Sequence, residues 1–216
     1  MKTLIILMTA TAAFTATPAE MAIEKAQAEI TKHPDHAPYY NVLAMAYARR
    51  ARETSDVQYY AKAEGTLQRS FALAPDNYEG LKTLAWLQLG RHEFAKALET
   101  AARLNQKVPD DVLVYGYLAD ANTELGNYKE AVAATQWMLD LRPGNIPGLT
   151  RAAYQRELHG NLPGALELMQ MAYDSTPPAE SEDQCLVINA DGPLVSRYRR
   201  SSAGRDICQP GTRRVS

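Results

Sequence analysis

Apolar and polar positions recur along this chain in a pattern that repeats about every 34 residues, a spacing that indicates a repeat protein. Four evenly spaced prolines mark the interval: Pro75, Pro109, Pro143 and Pro177. A fifth, Pro34, precedes the first of these by one interval plus seven positions. Alanine stands twelve positions before each of the five: Ala22, Ala63, Ala97, Ala131 and Ala165.

Three further columns follow the first four of these prolines in chain order, which are Pro34, Pro75, Pro109 and Pro143. Ten positions after each proline stands alanine: Ala44, Ala85, Ala119 and Ala153. The position before it is apolar: Leu43, Leu84, Leu118 and Ala152. Six positions after each proline the side chain is large: Tyr40, Leu81, Tyr115 and Leu149. Small residues at these places let two antiparallel helices approach closely, and large apolar residues fill the space around them.

The residues between the columns predict two helices per interval. The proline ends the second helix because it lacks an N–H and restricts the residue before it. Asp or Asn directly after the proline can cap the next helix. Gly126 and Gly160 fit the turn between the two helices, because glycine adopts positive φ readily. We predict one helix and then four helix pairs: Glu20–Lys32, Ala37–Leu73, Tyr78–Lys107, Val112–Leu141 and Ile146–Ser175.

The segment LADANTELGNYKEAVAATQWMLDLRP, from Leu118 to Pro143, resembles a tetratricopeptide repeat (TPR). It has the Leu-small pair, the Gly-Asn-Tyr turn, the alanine and the closing proline. The resemblance covers about Met21 to Pro177 and implies an all-α TPR α-solenoid of antiparallel helix pairs. A half repeat is expected at 20–34, and full repeats at about 37–75, 78–109, 112–143 and 146–177. Two departures stand out: His92 replaces the turn glycine, and the seven extra residues fall in ARRARETSDVQYY, where they lengthen either the turn or the helices of the first repeat.

The resemblance also implies a binding groove. In TPR proteins the first helix of each pair lines a concave groove that receives an extended peptide or a partner helix. Its positions carry over here to Asn41, Met45, Lys82, Trp86, Tyr117, Asp120, Arg151 and Tyr154. The alternative for Trp86 and Tyr154 is packing against neighbouring helices. Clamping of a terminal carboxylate is not expected, because that mode needs polar or basic groups at the places of Met45, Thr83, Leu113 and Tyr117.

No catalytic motif accompanies the repeats. The sequence contains no Gly-rich phosphate loop, HExxH or nucleophile elbow. His33 and His36 suggest a metal site, but Pro34 interrupts the helix that would align their rings, so a solvated turn is the alternative. We expect a non-catalytic scaffold for protein–protein interaction, with a protein or peptide partner and no cofactor, metal or small-molecule substrate. A non-catalytic subunit or a precursor-processing factor would have the same sequence features.

Residues 1–19 have the layout of a secretory signal peptide. Lys2 provides the positive start, Leu4 to Phe14 form an apolar stretch, and small residues follow up to Ala19. The stretch is too short to span a membrane. We expect a cut after one of the residues from Ala12 to Ala19 and an exported protein, periplasmic or extracellular, without a membrane span. The alternative is a buried first helix.

The charge is unevenly distributed. Between Cys185 and Ser216, six arginines face two aspartates, a local charge of +4, so the remainder carries −6 of the total of −2. This disfavours nucleic acid as the main partner. An adaptor that binds nucleic acid or another anionic partner through this basic segment is the alternative function.

The repeat pattern stops after about Gln184, and residues 178–216 are expected to form an irregular or disordered tail. Arginine-rich text of this kind results when a GC-rich, Ala-rich gene is read off frame, because GCC codons read one nucleotide early become CGC. Read one nucleotide forward from Cys185, synonymous codons permit a segment with Gly, Ala and Pro at the repeat positions. We expect a frameshifted or truncated C-terminus, in which Cys185 and Cys208 are not an evolved disulfide. The alternative is a native basic tail.

Overall fold

The computed structural model describes residues 16–175, which form nine α-helices and no strand. The chain divides between Pro75 and Asp76 into two compact units, with α1–α3 in the first and α4–α9 in the second. The bounds are α1 Pro18–Lys32, α2 Ala37–Thr54, α3 Gln58–Leu73, α4 Tyr78–Gly90, α5 Phe94–Lys107, α6 Val112–Glu124, α7 Tyr128–Leu141, α8 Ile146–Leu158 and α9 Leu162–Asp174.

The predicted all-α fold is confirmed, and the predicted helix ends agree with the observed ones to within two residues. The apolar stretch expected to direct export and the tail from 178 onward lie outside the described residues. Within the described part of the chain, no helix is both long enough and apolar enough to cross a bilayer.

The seven extra residues of the first repeat lengthen its helices rather than its turn. Helix α2 has 18 residues and α3 has 16, whereas α4 and α6 have 13 and α5 and α7 have 14. Three residues separate α2 from α3, the same number as between α4 and α5. Five of the extra residues therefore lie in α2 and two in α3.

The turn after α4 has the backbone conformation of the glycine turns, although its residue is His92. The φ of His92 is +59°, close to the +78° of Gly126 and the +76° of Gly160. A side chain at this φ is disfavoured, so histidine is a less favourable residue than glycine here. The departure from the TPR pattern concerns the residue type and leaves the chain path unchanged.

In the second unit, the first helix of each pair begins with an aspartate or asparagine cap, as the sequence predicts. The Oδ1 atoms of Asn77, Asp111 and Asn145 accept backbone N–H bonds from Gly80, Leu113 and Gly148 at 2.7, 2.9 and 2.8 Å. Such a cap satisfies an N–H group that has no partner inside the helix. These caps fix where α4, α6 and α8 start, and so which residues of each helix lie side by side.

Alanine occupies the helix crossings. The alanines twelve positions before a closing proline are fully buried in the four helix pairs: Ala63, Ala97, Ala131 and Ala165. The alanines ten positions after a proline are no more than 1% exposed: Ala44, Ala85, Ala119 and Ala153. Ala22, in the lone first helix, is half-buried. In the second unit consecutive helices pack together, and α4 also contacts α6, which contacts α8. The first helices of the three pairs therefore form one layer.

Helix α1 begins with a capping box. The Thr17 Oγ1 accepts the Glu20 N–H at 3.3 Å, and the Glu20 Oε2 accepts the Thr17 N–H at 2.8 Å. Arg50 of α2 holds this helix start through a 2.6 Å bond to Glu20 Oε1 and a 3.3 Å bond to Thr17 Oγ1. Ala19, one residue beyond the first helical position, is 2% exposed. The start of α1 is thus held both by its own cap and by α2.

Candidate binding face

One side of the α4, α6 and α8 layer carries most of the residues that the TPR resemblance assigns to a groove. Positions three and four apart share one side of a helix. On this principle the side comprises Glu79, Lys82 and Trp86 of α4; Leu113, Tyr117, Asp120 and Glu124 of α6; and Arg151, Tyr154, Glu157 and Leu158 of α8. We call this side the binding face.

Asp111 links α4 to α6 on this face. Its Oδ2 lies 2.8 Å from Lys82 Nζ and accepts a 3.1 Å bond from the Tyr78 hydroxyl. Its Oδ1 caps α6 through the Leu113 N–H. Burial raises the pKa of Asp111, but Lys82 and the other donors outweigh it and hold the pKa below its usual value. The charge of Lys82 is therefore neutralised inside the protein.

A second ion pair links α6 to α8. The Arg151 guanidinium contacts Asp120 through two bonds, Nε to Oδ1 at 2.7 Å and Nη2 to Oδ2 at 2.6 Å. Its third nitrogen, Nη1, donates to the Pro147 carbonyl at 3.0 Å. Paired bonds of this geometry are among the strongest between side chains. Gly116 makes room for the guanidinium, because a Cβ there would lie 3.3 Å from Arg151 Cζ.

Tyr117 lies between the two ion pairs and is only 2% exposed. Burial raises the pKa of its hydroxyl; Asp111, Glu79 and Asp120 raise it further, and Arg151 opposes them. Within residues 16–175 this hydroxyl has no hydrogen-bond partner. A phenol is a donor and an acceptor, so this group keeps both capacities unused among charged neighbours.

The part of the binding face around Tyr154 is exposed to solvent and carries both apolar and acidic side chains. Tyr154 is 40% exposed and Leu158 is 44% exposed. Burial raises the pKa of Tyr154, and the carboxylates of Glu124 and Glu157 raise it further. Neither carboxylate forms a salt bridge within the described part of the chain. Leu113, at the opposite end of α6, is 45% exposed.

The structure brings together six of the eight residues implied by the resemblance. Lys82, Tyr117, Asp120, Arg151 and Tyr154 share the face, with half-buried Trp86 one turn along α4 from Lys82. Asn41 and Met45 lie on α2 of the first unit. Asn41 is 6% exposed and its Oδ1 accepts a 2.6 Å bond from Ser70, so it is part of the α2–α3 core. Met45 is half-buried.

The groove positions that the TPR resemblance implies do not include four further candidates for function: Tyr78, Asp111, Glu124 and Glu157. The position of Asp111 after Pro109 predicts only a capping role for it. A search for opposite charges slightly less than one repeat apart would have found both ion pairs, because Lys82 and Asp111 have this separation, and so do Asp120 and Arg151. The two histidines of the HPDH segment lie elsewhere, beside the Tyr39 ring at 6.0 and 4.5 Å between centroids.

Three solved structures are similar to this chain. MamA residues 41-end from Desulfovibrio magneticus RS-1 matches at 15% identity and a TM-score of 0.56, over 73% of this chain and 85% of that one. YrrB, described as a TPR protein with an unusual peptide-binding site, matches at 15% and 0.53, over 85% and 84%. PilW, a widely conserved type IV pilus biogenesis factor, matches at 15% and 0.62, over 88% and 82%. No family model and no curated protein matches the sequence.

Proposed function

We propose that this chain, which has the TPR fold, is a non-catalytic scaffold that binds a peptide segment or a partner helix on the binding face. The observation that carries the proposal is the combination of fixed and open groups on that face. Two ion pairs hold α4, α6 and α8 side by side, and Leu113, Tyr154 and Leu158 project between 40% and 45% exposed. Aromatic and apolar anchors within a polar surround are typical of protein interfaces.

The basic side chains of the face are already paired with acids of this chain, which disfavours binding of a terminal carboxylate. Lys82 and Arg151 are the basic residues of the face, and each contacts an acid of this chain at 2.8 Å or less. A ligand carboxylate would have to displace Asp111 or Asp120, which would leave a partly buried carboxylate without its cation. Affinity is therefore expected from apolar contacts and from groups that the face leaves unpaired.

A photo-cross-linking amino acid tests this function. It is introduced at Tyr154 and, as a matched control, at Glu167, an exposed position on α9 outside the face. We expect a protein that cross-links through position 154 and not through position 167 in the cells that make this chain. Purified, that protein should bind the native chain and lose affinity for a Leu113→Asp, Leu158→Asp variant. Equal cross-linking at both positions would contradict a groove-type scaffold.

We propose export as the cellular context of this scaffold. The support is the positive, apolar and small-residue layout of residues 1–19. Fractionation of cells that express the native gene tests it: the protein should be found outside the cytoplasm with a shortened N-terminus. Recovery in the cytoplasm with Met1 intact would refute it.

A further inference from the structure

We infer that the binding face selects a segment that carries a lysine or arginine next to an apolar residue, with Glu124, Glu157 and Tyr154 receiving the cation and the Tyr117 hydroxyl bonding to the bound segment. The inference rests on the proposed function, because it names the chemistry of the partner that this face binds. It is carried by two independent observations, the charge left over on the face and the unbonded hydroxyl of a buried tyrosine.

The first observation is the charge that remains after the ion pairs are formed. Asp111 and Asp120 neutralise Lys82 and Arg151. Glu79, which is 69% exposed and 3.5 Å from the already engaged Lys82, stays in excess, as do Glu124 and Glu157. The described part of the second unit, from Asp76 to Ser175, has thirteen acidic against nine basic residues. A face with this imbalance attracts cations and repels acidic segments.

The two free carboxylates converge on an exposed aromatic ring. Glu157 follows Tyr154 by three positions, so the two share one side of α8, and Glu124 lies on the same side of the neighbouring helix α6 as Tyr117 and Asp120. The carboxylates of Glu124 and Glu157 both raise the pKa of Tyr154. An exposed tyrosine ring attracts a lysine or arginine side chain, and nearby carboxylates add Coulombic attraction. Leu158 follows Tyr154 by one helical turn and offers an apolar contact for the neighbouring residue of the ligand. The site therefore fits a basic residue beside an apolar one.

The second observation is the Tyr117 hydroxyl. Its side chain is buried among the charges of the face, and the hydroxyl has no partner in the described part of the chain. The oxygen itself is not enclosed, so a bound segment can replace water as its hydrogen-bond partner. Tyr117, Asp120 and Glu124 follow one another along one side of α6, so a segment that reaches Glu124 passes this hydroxyl.

Phage-displayed random peptides selected on the immobilised full-length chain provide the probe. Selected sequences are synthesised with a fluorescent label, and their Kd is measured by anisotropy. We expect enrichment of Lys or Arg adjacent to an aliphatic or aromatic residue. A Glu124→Gln, Glu157→Gln variant should weaken binding roughly three- to thirty-fold, the range for the loss of two surface ion pairs. Glu167→Gln, on α9, should leave the Kd unchanged.

Two further variants separate recognition from folding. Tyr117→Phe removes only the hydroxyl and should weaken binding roughly two- to ten-fold without lowering the Tm, because no internal bond is lost. A Glu124→Lys, Glu157→Lys variant should prefer the peptide in which the basic residue is replaced by glutamate. Peptides selected without any preference for Lys or Arg, or unaffected by the charge variants, would overturn this inference and leave the scaffold function standing. If no selected peptide competes with the cross-link at position 154, both this inference and the proposed scaffold function are refuted.

Discussion

Asp111 performs two tasks that substitutions can separate. Its Oδ1 caps α6 and its Oδ2 holds Lys82 and Tyr78 of α4. Loss of the cap costs about 1 kcal/mol. The side chains of Lys82 and Asp111 are 15% and 17% exposed, so the pair lies between a surface pair of about 0–1 kcal/mol and a buried one whose breakage costs about 3–5 kcal/mol. We take about 1–2 kcal/mol for the pair.

Asp111→Ala should therefore lower the free energy of unfolding by about 2–3 kcal/mol. Asp111→Asn keeps the capping oxygen but places an NH2 donor where Oδ2 accepts from Lys82 and Tyr78, so about 1–2 kcal/mol is expected. The adjacent and exposed Asp110 provides the control, since Asp110→Ala makes the same change in net charge and should stay within about 0.5 kcal/mol. Urea unfolding with equal slopes for all variants gives the comparison. Equal stabilities of the Asp110→Ala and Asp111→Ala proteins would refute the reasoning.

The pH dependence of the same variants supplies an independent check. The pKa of Asp111 in the folded protein lies below its unfolded value, so its contribution is fully present above the unfolded value of about 3.9. That contribution is lost as the pH falls through the lower folded pKa. The difference in stability between the native chain and Asp111→Asn should therefore be constant from neutral pH to about pH 5 and shrink in more acidic solution. A difference that grows on acidification would contradict the ion pair.

Three further predictions concern other parts of the chain. Ala131→Leu should destabilise the fold by about 1–3 kcal/mol through overpacking at a fully buried crossing, whereas exposed Lys129→Ala should cost within about 0.5 kcal/mol; equal Tm values would contradict the repeat register. N-terminal sequencing of the exported protein should find a cut at or before Ala16, because a later cut removes the Thr17 cap; a mature chain starting at Glu20 would refute this. The gene should continue as TPR-like sequence in the +1 frame beyond the codon of Cys185; early stop codons there would exclude a frameshift.

The sequence predicts the helices well because their causes are local. Prolines, capping residues and turn residues act within a few positions, and the alanine columns report contacts that every repeat makes in the same way. The sequence does not determine whether the seven extra residues lie in the turn or in the helices. Their place in α2 and α3 depends on a tertiary preference, namely that the three-residue turn is kept and the helices extend.

The site is less predictable because the position of a residue in its repeat indicates which side of the helix it lies on, but not which side chain of a neighbouring helix it contacts. Asn41 and Lys82 stand at the same place of their repeats, yet Asn41 is in the core and Lys82 reaches the face. A short amide can be buried once Ser70 bonds to it, whereas a lysine extends its amine along an apolar surface to an acid. Likewise Tyr117 shares the groove column of α6, but neighbouring helices cover all of it except its polar tip. Which neighbour a side chain meets depends on residues about one repeat away.

The alternating ion pairs give the repeats of the second unit a fixed order. The first pair runs from a base on α4 to an acid on α6, and the second from an acid on α6 to a base on α8. If the middle repeat were deleted as a whole, Asn145 would take the place of Asp111 beside Lys82, and Arg151 would face Trp86. Neither ion pair could form. Gene duplication builds arrays by copying and losing whole repeats, but these complementary charges distinguish the three modules, so that both ion pairs form in the present order of the repeats and neither forms after that deletion.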